Sequence, residues 1–267
     1  MLELPDVTLV ALTSINIFET VCAMKYSMRE IEFGDRVFIS HKKPFYLPEN
    51  IRFEKTGKLK TIDDYNYKML FEVYKYINTK FILIVHYDGF VIHPEMWRPE
   101  FLDFDYVGSP WPPLDYLKDD YGDFVRVGNG VSLRSRKLLE LPSKLNIPFK
   151  RGEGAVNNED SFICVRFRRT MLEHGIKYAP IETAARFGRE ETLPETKDAV
   201  PFLFHKWSGL NKNYKCFGLR RIFYFFETTQ ALIESKIINV RNRVGRRGWK
   251  KALDHYFNKY IKSKIKK

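Results

Sequence analysis

No stretch of the 267 residues approaches ~20 uninterrupted apolar positions, so a membrane-spanning helix is not expected. The start, Met1-Leu2-Glu3-Leu4-Pro5-Asp6, lacks the basic residues and apolar core of a secretory leader, and none is expected. Cysteine is scarce: Cys22, Cys164 and Cys216 are odd in number and widely spaced. That excludes a disulfide framework and a zinc-finger pattern, and implies reduced thiols in a cytosolic protein. Internal repeats and low-complexity segments are absent too. With 44% hydrophobic and 15% aromatic residues, the composition is that of a folded, aromatic-rich globule and not of a disordered chain.

What is abundant is positive charge, and its location matters more than its total. Of the net +12, most comes from residues 241–267, where eleven Lys/Arg face one acid, Asp254. The preceding residues are nearly neutral. A nucleic-acid-binding domain spreads its basic residues over a groove of the fold itself. Here the charge is a terminal feature, which points to an anchor. On a helix, Trp249, Leu253, Tyr256, Tyr260 and Ile265 approximate one apolar face flanked by Lys250, Lys251, Lys259, Lys262 and Lys266. Such a face suits an anionic membrane interface; a solvated basic helix covering the domain is the plainer alternative. The expected division is therefore a catalytic-type domain over 1–215 and a basic helical extension over 216–267.

The first ninety residues alternate strand and helix signals. Val7 to Leu12 reads as a buried strand ending at Thr13-Ser14, and Ile17 to Ile31 carries apolar residues at helical spacing. Arg36 to Ser40 is a second strand. Thr61 reads as a helix cap with Asp63 and Asp64 in the first turn. Phe81-Ile82-Leu83-Ile84-Val85 then reads as a strand buried on both faces. This β-α-β-α-β order predicts an α/β fold with a mostly parallel, doubly wound (Rossmann-type) sheet flanked by helices. Further on, Gly128-Asn129-Gly130 reads as a tight turn or a close backbone approach, a helix starts near Ser135, another spans Phe162 to His174, and Pro201 to Trp207 is a buried strand.

Ligands of open α/β sheets sit beyond the carboxyl ends of the strands. Asp88-Gly89 occupies such an end, where a carboxylate suits a divalent metal carrying phosphate oxygens; a strand-end Asp starting a turn is the bland alternative. Asn158-Glu159-Asp160 and His205 share the description, each following a strand or opening a helix. A carboxylate and a histidine can hold an ion that neutralises a leaving diphosphate. A second carboxylate can take the proton of an attacking hydroxyl. Trp111 or Trp207 can stack on a sugar ring, while Gly128-Asn129-Gly130 lets substrate approach the backbone.

The run Ile84-Val85-His86-Tyr87-Asp88-Gly89-Phe90, then Trp97, Asp105-Tyr106-Val107-Gly108-Ser109-Pro110-Trp111, Val127 to Ser135 and Asn158-Glu159-Asp160 resembles a bacterial domain-of-unknown-function family related to glycosyltransferases of the GT-A fold. The resemblance covers residues 5–210. It implies a nucleotide-diphosphate-sugar donor, typically a UDP-sugar, with base and ribose near Thr13, Ser14 and Ser40. It places His86-Tyr87-Asp88 at the fold's Asp-x-Asp motif, which holds Mn²⁺ or Mg²⁺ with the donor phosphates. It places Glu159-Asp160 at the catalytic acidic motif, with the Asp as base in inverting members, and His205 at a further metal ligand. Two departures stand out: His86 replaces the first motif Asp, and the Gly128-Asn129-Gly130 segment has one glycine fewer than such relatives carry.

Each residue also has a structural reading. Asp160 is either base or a helix N-cap or first-turn acid, with Glu159 as its stand-in. His205 is either ligand or a satisfied strand-end histidine. Trp111 either packs or stacks on sugar; Tyr65 either packs or touches donor; Arg134 either pairs a diphosphate or lies exposed at a helix start. The resulting expectation is an inverting, metal-assisted glycosyltransferase acting on a glycan or lipid-linked glycan, cytoplasmic and peripheral on the inner face of the cell membrane. The rivals are a non-catalytic nucleotide-sugar or carbohydrate-binding module and a basic nucleic-acid-associated protein.

Overall fold

The computed structural model describes residues 1–218. The basic tail, and with it the helical face from Trp249 onward, lies outside the described residues. Among those residues, no helix is long and apolar enough to cross a membrane.

Among the described residues, nine strands and six α-helices follow in chain order. Strand β1 (Leu2–Leu12) leads into α1 (Ile17–Ser27), β2 (Ile31–Ser40) and β3 (Arg52–Lys55). Then come α2 (Ile62–Phe71), β4 (Phe81–Ile84), β5 (Gly89–Val91) and β6 (Tyr106–Pro110). Next are β7 (Val127–Ser135), α3 (Arg136–Lys144), α4 (Glu159–Ser161), α5 (Arg168–Glu173), α6 (Ile181–Phe187), β8 (Gly188–Arg189) and β9 (Leu203–His205). The main sheet has six strands in the order β3-β2-β1-β4-β7-β6. Strands β1 to β4 run parallel, whereas β7 is antiparallel to both β4 and β6. A second, three-stranded sheet has the order β5-β9-β8. The sheet is thus mixed and mostly parallel.

Both faces of β1 are buried, which is why it reads as a continuous apolar run. Val7, Leu9 and Ala11 join the cluster formed with α1 and the small sheet, including Met24, Phe90 and Phe204. Val10 and Leu12 join the opposite cluster with Met69, Val73 and Ile77. A third cluster, around Tyr106, Trp111, Leu138 and Phe162, closes the β6–β7 side.

Three details differ from the sequence reading. Helix α1 stops at Ser27 because Ile31 and Phe33 are used by β2, opposite Leu2 and Leu4 of β1. Gly128-Asn129-Gly130 is not a turn but lies inside β7, with Asn129 at φ 117° where the β6–β7 register shifts. The helix expected from Phe162 to His174 is α4 and α5 joined by a π-helical turn over Phe162–Arg166. The α2 start is as expected: the Thr61 hydroxyl accepts from the Asp64 N–H at 3.2 Å, and Asp64 accepts from the Thr61 N–H at 3.1 Å.

Candidate functional site

Strand order in the main sheet reverses between β1 and β4, the place where open α/β sheets leave a crevice at their carboxyl ends. A cleft of about 360 Å³ lies there, lined by Thr13 and Ser14 after β1, Tyr65 of α2, and Val85 and His86 after β4. Past β4 the chain makes a tight reversal: the His86 N–H donates to the Gly89 carbonyl at 2.7 Å. Strand β5 then leaves the main sheet and pairs antiparallel with β9, setting Gly89 opposite His205. The Lys206 N–H donates to the Asp88 carbonyl at 2.7 Å and fixes the crossing point. A Cβ on Gly89 would stand 2.5 Å from Val131 Cγ2 and 2.8 Å from His205 Cδ2, so the glycine admits both side chains.

This crossing brings His86, Asp88 and His205 together, with ligand atoms all within 4.8 Å of one another. His205 Nε2 is 3.8 Å from Asp88 Oδ1. The Tyr65 hydroxyl lies 2.8 Å from His86 Nε2 and holds that ring. Burial, with His205 beside it, brings His86 down to about 4, so its ring is neutral near pH 7. His205 is also pushed down by burial, but Glu190 and Asp88 outweigh this and raise it. Glu190 is itself brought to about 2: burial opposes its ionisation, and His205 and Lys206 overcome that opposition.

Glu190 was not legible in the sequence. It follows the two-residue strand β8, which pairs parallel with β9, so Glu190 emerges beside His205. Its Oε1 is 3.5 Å from His205 Nδ1, long for a hydrogen bond; that nitrogen is buried without a hydrogen-bond partner. Glu190 also pairs with Lys206. Two imidazoles, one carboxylate, and a second carboxylate behind one imidazole fit a divalent cation, because histidine ligands are commonly oriented by such a partner.

The two acids of α4 have different surroundings. Glu159 is buried and paired with Arg134, which is buried as well. Arg134 Nε also donates to the Ser132 hydroxyl at 3.0 Å. Burial pushes Glu159 up to about 7 against the pull of Arg134, with Asp160 adding to the rise. Burial likewise lowers the Arg134 cation's favour, but Glu159 more than restores it and the group is held charged. Glu159 is therefore an internal ion-pair partner. Arg134, read from sequence as diphosphate-pairing or exposed, is neither. Asp160 is half-buried, and its Oδ1 accepts from the Ser161 N–H at 2.7 Å. The helix N-cap is Asn158, and Asp160 sits with Glu159 in the first turn, as one of its two structural readings had it. Burial raises Asp160 above the usual carboxylate range, with the Ser161 N–H opposing. Asp160 lines a second cleft of about 380 Å³ together with Trp111, Asn158, Glu190 and Lys206.

The other sequence-derived candidates fall into two groups. Thr13, Ser14, Tyr65 and His86 line the first cleft, and Ser14 accepts from the Leu59 N–H at 2.9 Å. Ser40 is fully buried and donates to the Thr13 carbonyl at 2.6 Å, so it supports that loop from below. The glycines expected to let substrate approach instead admit side chains. A Cβ on Gly128 would lie 2.1 Å from the Trp111 ring, and one on Gly130 would lie 2.8 Å from Glu159 Oε1 and 3.1 Å from His86 Cε1. Asn129 is buried, its amide donating to Ser109 at 3.2 Å and its carbonyl accepting from the Tyr106 hydroxyl at 2.6 Å. Trp111 is mostly buried on Gly128 while lining the second cleft. The Trp207 indole donates to the Lys215 carbonyl at 3.2 Å, with its ring near Phe204.

Among solved structures, an active-site mutant of LgtC is similar with a TM-score of 0.47 at 12% identity, covering 83% of this chain and 95% of that one. The galactosyltransferase LgtC in complex with donor and acceptor sugar analogs gives 0.46 at 14% identity, covering 80% and 93%. The glycosyltransferase GlyE of Streptococcus pneumoniae TIGR4 gives 0.46 at 11% identity, covering 94% of this chain and 63% of that one. No curated protein matches in sequence. Residues 48–205, more than half of the chain, match the family described as "Protein of unknown function (DUF5672)", and the protein belongs to that family.

Proposed function

We propose that the protein is a GT-A-like, metal-assisted glycosyltransferase that moves a sugar from a nucleotide-diphosphate donor to a glycan hydroxyl. One observation carries the reading: the His86–Asp88–His205 cluster stands between two clefts. His86 lines the cleft at the switch point, and Glu190, beside His205, lines the cleft that holds Asp160. The first suits a nucleoside, with Thr13 and Ser14 offering hydroxyls among apolar walls. The second suits an acceptor.

A divalent ion held by His86, Asp88 and His205 would supply positive charge for the leaving diphosphate. Two imidazoles in the set favour Mn²⁺ over Mg²⁺, which prefers oxygen ligands and retained water. Asp160 would take the proton of the acceptor hydroxyl as its oxygen attacks the anomeric carbon and the bond to the diphosphate oxygen breaks. Its raised pKa makes it a stronger base than an ordinary carboxylate. Attack from the face opposite the leaving group inverts the anomeric centre. Glu159, tied to Arg134, would hold the start of α4 in place.

Thermal-shift screening of nucleotide sugars, UDP-sugars first, with and without Mn²⁺ tests the donor assignment, because selective binding raises the melting temperature. Asp160→Asn should abolish transfer and keep donor binding. Binding by the wild type without any turnover or hydrolysis would sink the enzyme reading in favour of a sugar-nucleotide-binding module. Docking of residues 241–267 on the inner membrane face belongs to the same proposal. Deleting them should abolish binding to anionic vesicles and spare activity on a soluble acceptor.

A further inference from the structure

The loop between β6 and β7 holds an aromatic ring that the packing does not explain. Tyr116 is 73% exposed, whereas its neighbour Leu117 is 5% exposed and buried against the cluster containing Trp111 and Val125. The backbone there is firmly held: the Leu117 N–H donates to the Leu114 carbonyl at 2.8 Å, and the Val125 N–H to the Leu117 carbonyl at 2.7 Å. Asp115 and Lys118 add an ion pair at 2.8 Å across the same turn. The other exposed rings of this loop are covered by cations, Tyr121 by Arg169 at 5.1 Å and Phe124 by Lys118 at 4.7 Å. Among the described residues, neither a ring nor a cation covers Tyr116. It stands on the wall of the cleft that contains Asp160.

The charges of that cleft indicate what it accepts. Arg166 is paired with Glu153 and bonded to Asn157 at 2.9 Å, and Lys206 is paired with Glu190. Asp160 and Glu191 have no ion-pair partner among the described residues. Among the described residues, the cleft therefore presents acceptors for hydroxyl donors and no uncommitted cation for a phosphate or carboxylate. A rigid aromatic face beside carboxylate and amide groups matches a pyranose: its C–H face lies on the ring while its hydroxyls donate to the carboxylates. An anionic sugar would be repelled.

We propose that Tyr116 is the stacking platform of an acceptor subsite for a neutral oligosaccharide, which runs from the Tyr116 ring to Asp160. The inference rests on the transferase reading for calling the ligand an acceptor, and its test does not require turnover. Saturation-transfer NMR on the full chain would compare neutral trisaccharides (cellotriose, maltotriose, chitotriose) with sialyllactose, using wild type, Tyr116→Phe and Tyr116→Ala. A neutral trisaccharide should bind wild type and Tyr116→Phe alike, and lose about tenfold in affinity with Tyr116→Ala, the size expected for one stacking contact. Melting temperatures should not change, since the ring is exposed. Unaltered binding by Tyr116→Ala, preference for sialyllactose, or no binding of any neutral member would each overturn the subsite. Neutral-sugar binding that depends on Tyr116, in a protein that transfers from no donor, would uphold the subsite and sink the transferase reading alone.

Discussion

His205 meets a carboxylate at each ring nitrogen: Nε2 is 3.8 Å from Asp88 Oδ1, and Nδ1 is 3.5 Å from Glu190 Oε1. In the proposed cation site Asp88 is a ligand and Glu190 stands behind His205, which makes Glu190 a positioning residue of that proposal. It favours the tautomer that carries the proton on Nδ1 and leaves the Nε2 lone pair toward Asp88. Glu190→Gln preserves the shape and removes the charge. Mn²⁺ affinity measured by calorimetry should fall by roughly 10- to 100-fold, the usual effect of losing such a partner. An unchanged affinity would restrict Glu190 to its ion pair with Lys206.

Arg134 and Glu159 form an ion pair with side chains only 1% and 4% exposed. Removing one member strands the other in a low-dielectric interior. Arg134→Met or Glu159→Gln should each cost about 3–5 kcal/mol in denaturant unfolding. The double variant should cost clearly less than the sum, because no unpaired charge remains. Additive losses would show that the two groups are solvated independently.

The sequence conveyed the parts of this fold that depend on local pattern. The apolar run Phe81 to Val85, the Thr61 cap and the strand-end positions of Asp88 and His205 follow from composition over a few residues. Strand β3, Arg-Phe-Glu-Lys at the sheet edge, carries no apolar alternation and was missed. Glu190 was missed for a related reason. Strand β8 has two residues, Gly188 and Arg189, and its pairing with β9 is a long-range event. The Gly128-Asn129-Gly130 segment misled because glycine signals turns and close approaches alike. What approaches those glycines is Trp111, Glu159 and His86, all remote in sequence.

Gly130 allows a direct test of that close approach. An added Cβ would stand 2.8 Å from Glu159 Oε1 and 3.1 Å from His86 Cε1. Gly130→Ala should therefore cost about 1–3 kcal/mol of stability, as overpacking does. It should also weaken Mn²⁺ binding by displacing His86. Gly57 has nothing within 4 Å of its would-be Cβ, and Gly57→Ala should leave both measurements unchanged. Equal tolerance at the two positions would contradict the crowding.

The start of α2 is tied to the segment that leads into α4, and this tie titrates. Asp64 completes the Thr61 capping box and pairs with Arg151 at 2.6 Å, while Asp63 accepts from the Gly152 N–H at 2.8 Å. The Arg151 guanidinium, followed by the Lys60 N–H, lowers Asp64 to about 2 from its ordinary 3.8. Because the folded value lies below the unfolded one, this stabilisation is fully present above about pH 4 and is lost as the pH falls towards 2. Asp64→Asn should thus lower the melting temperature at pH 6 and lose that deficit progressively below pH 4. Salt should shrink the effect as well, because the pair is exposed to solvent. A deficit of constant size from pH 6 to pH 2 would mean that the carboxylate's charge contributes nothing, and that the cap acts through shape alone.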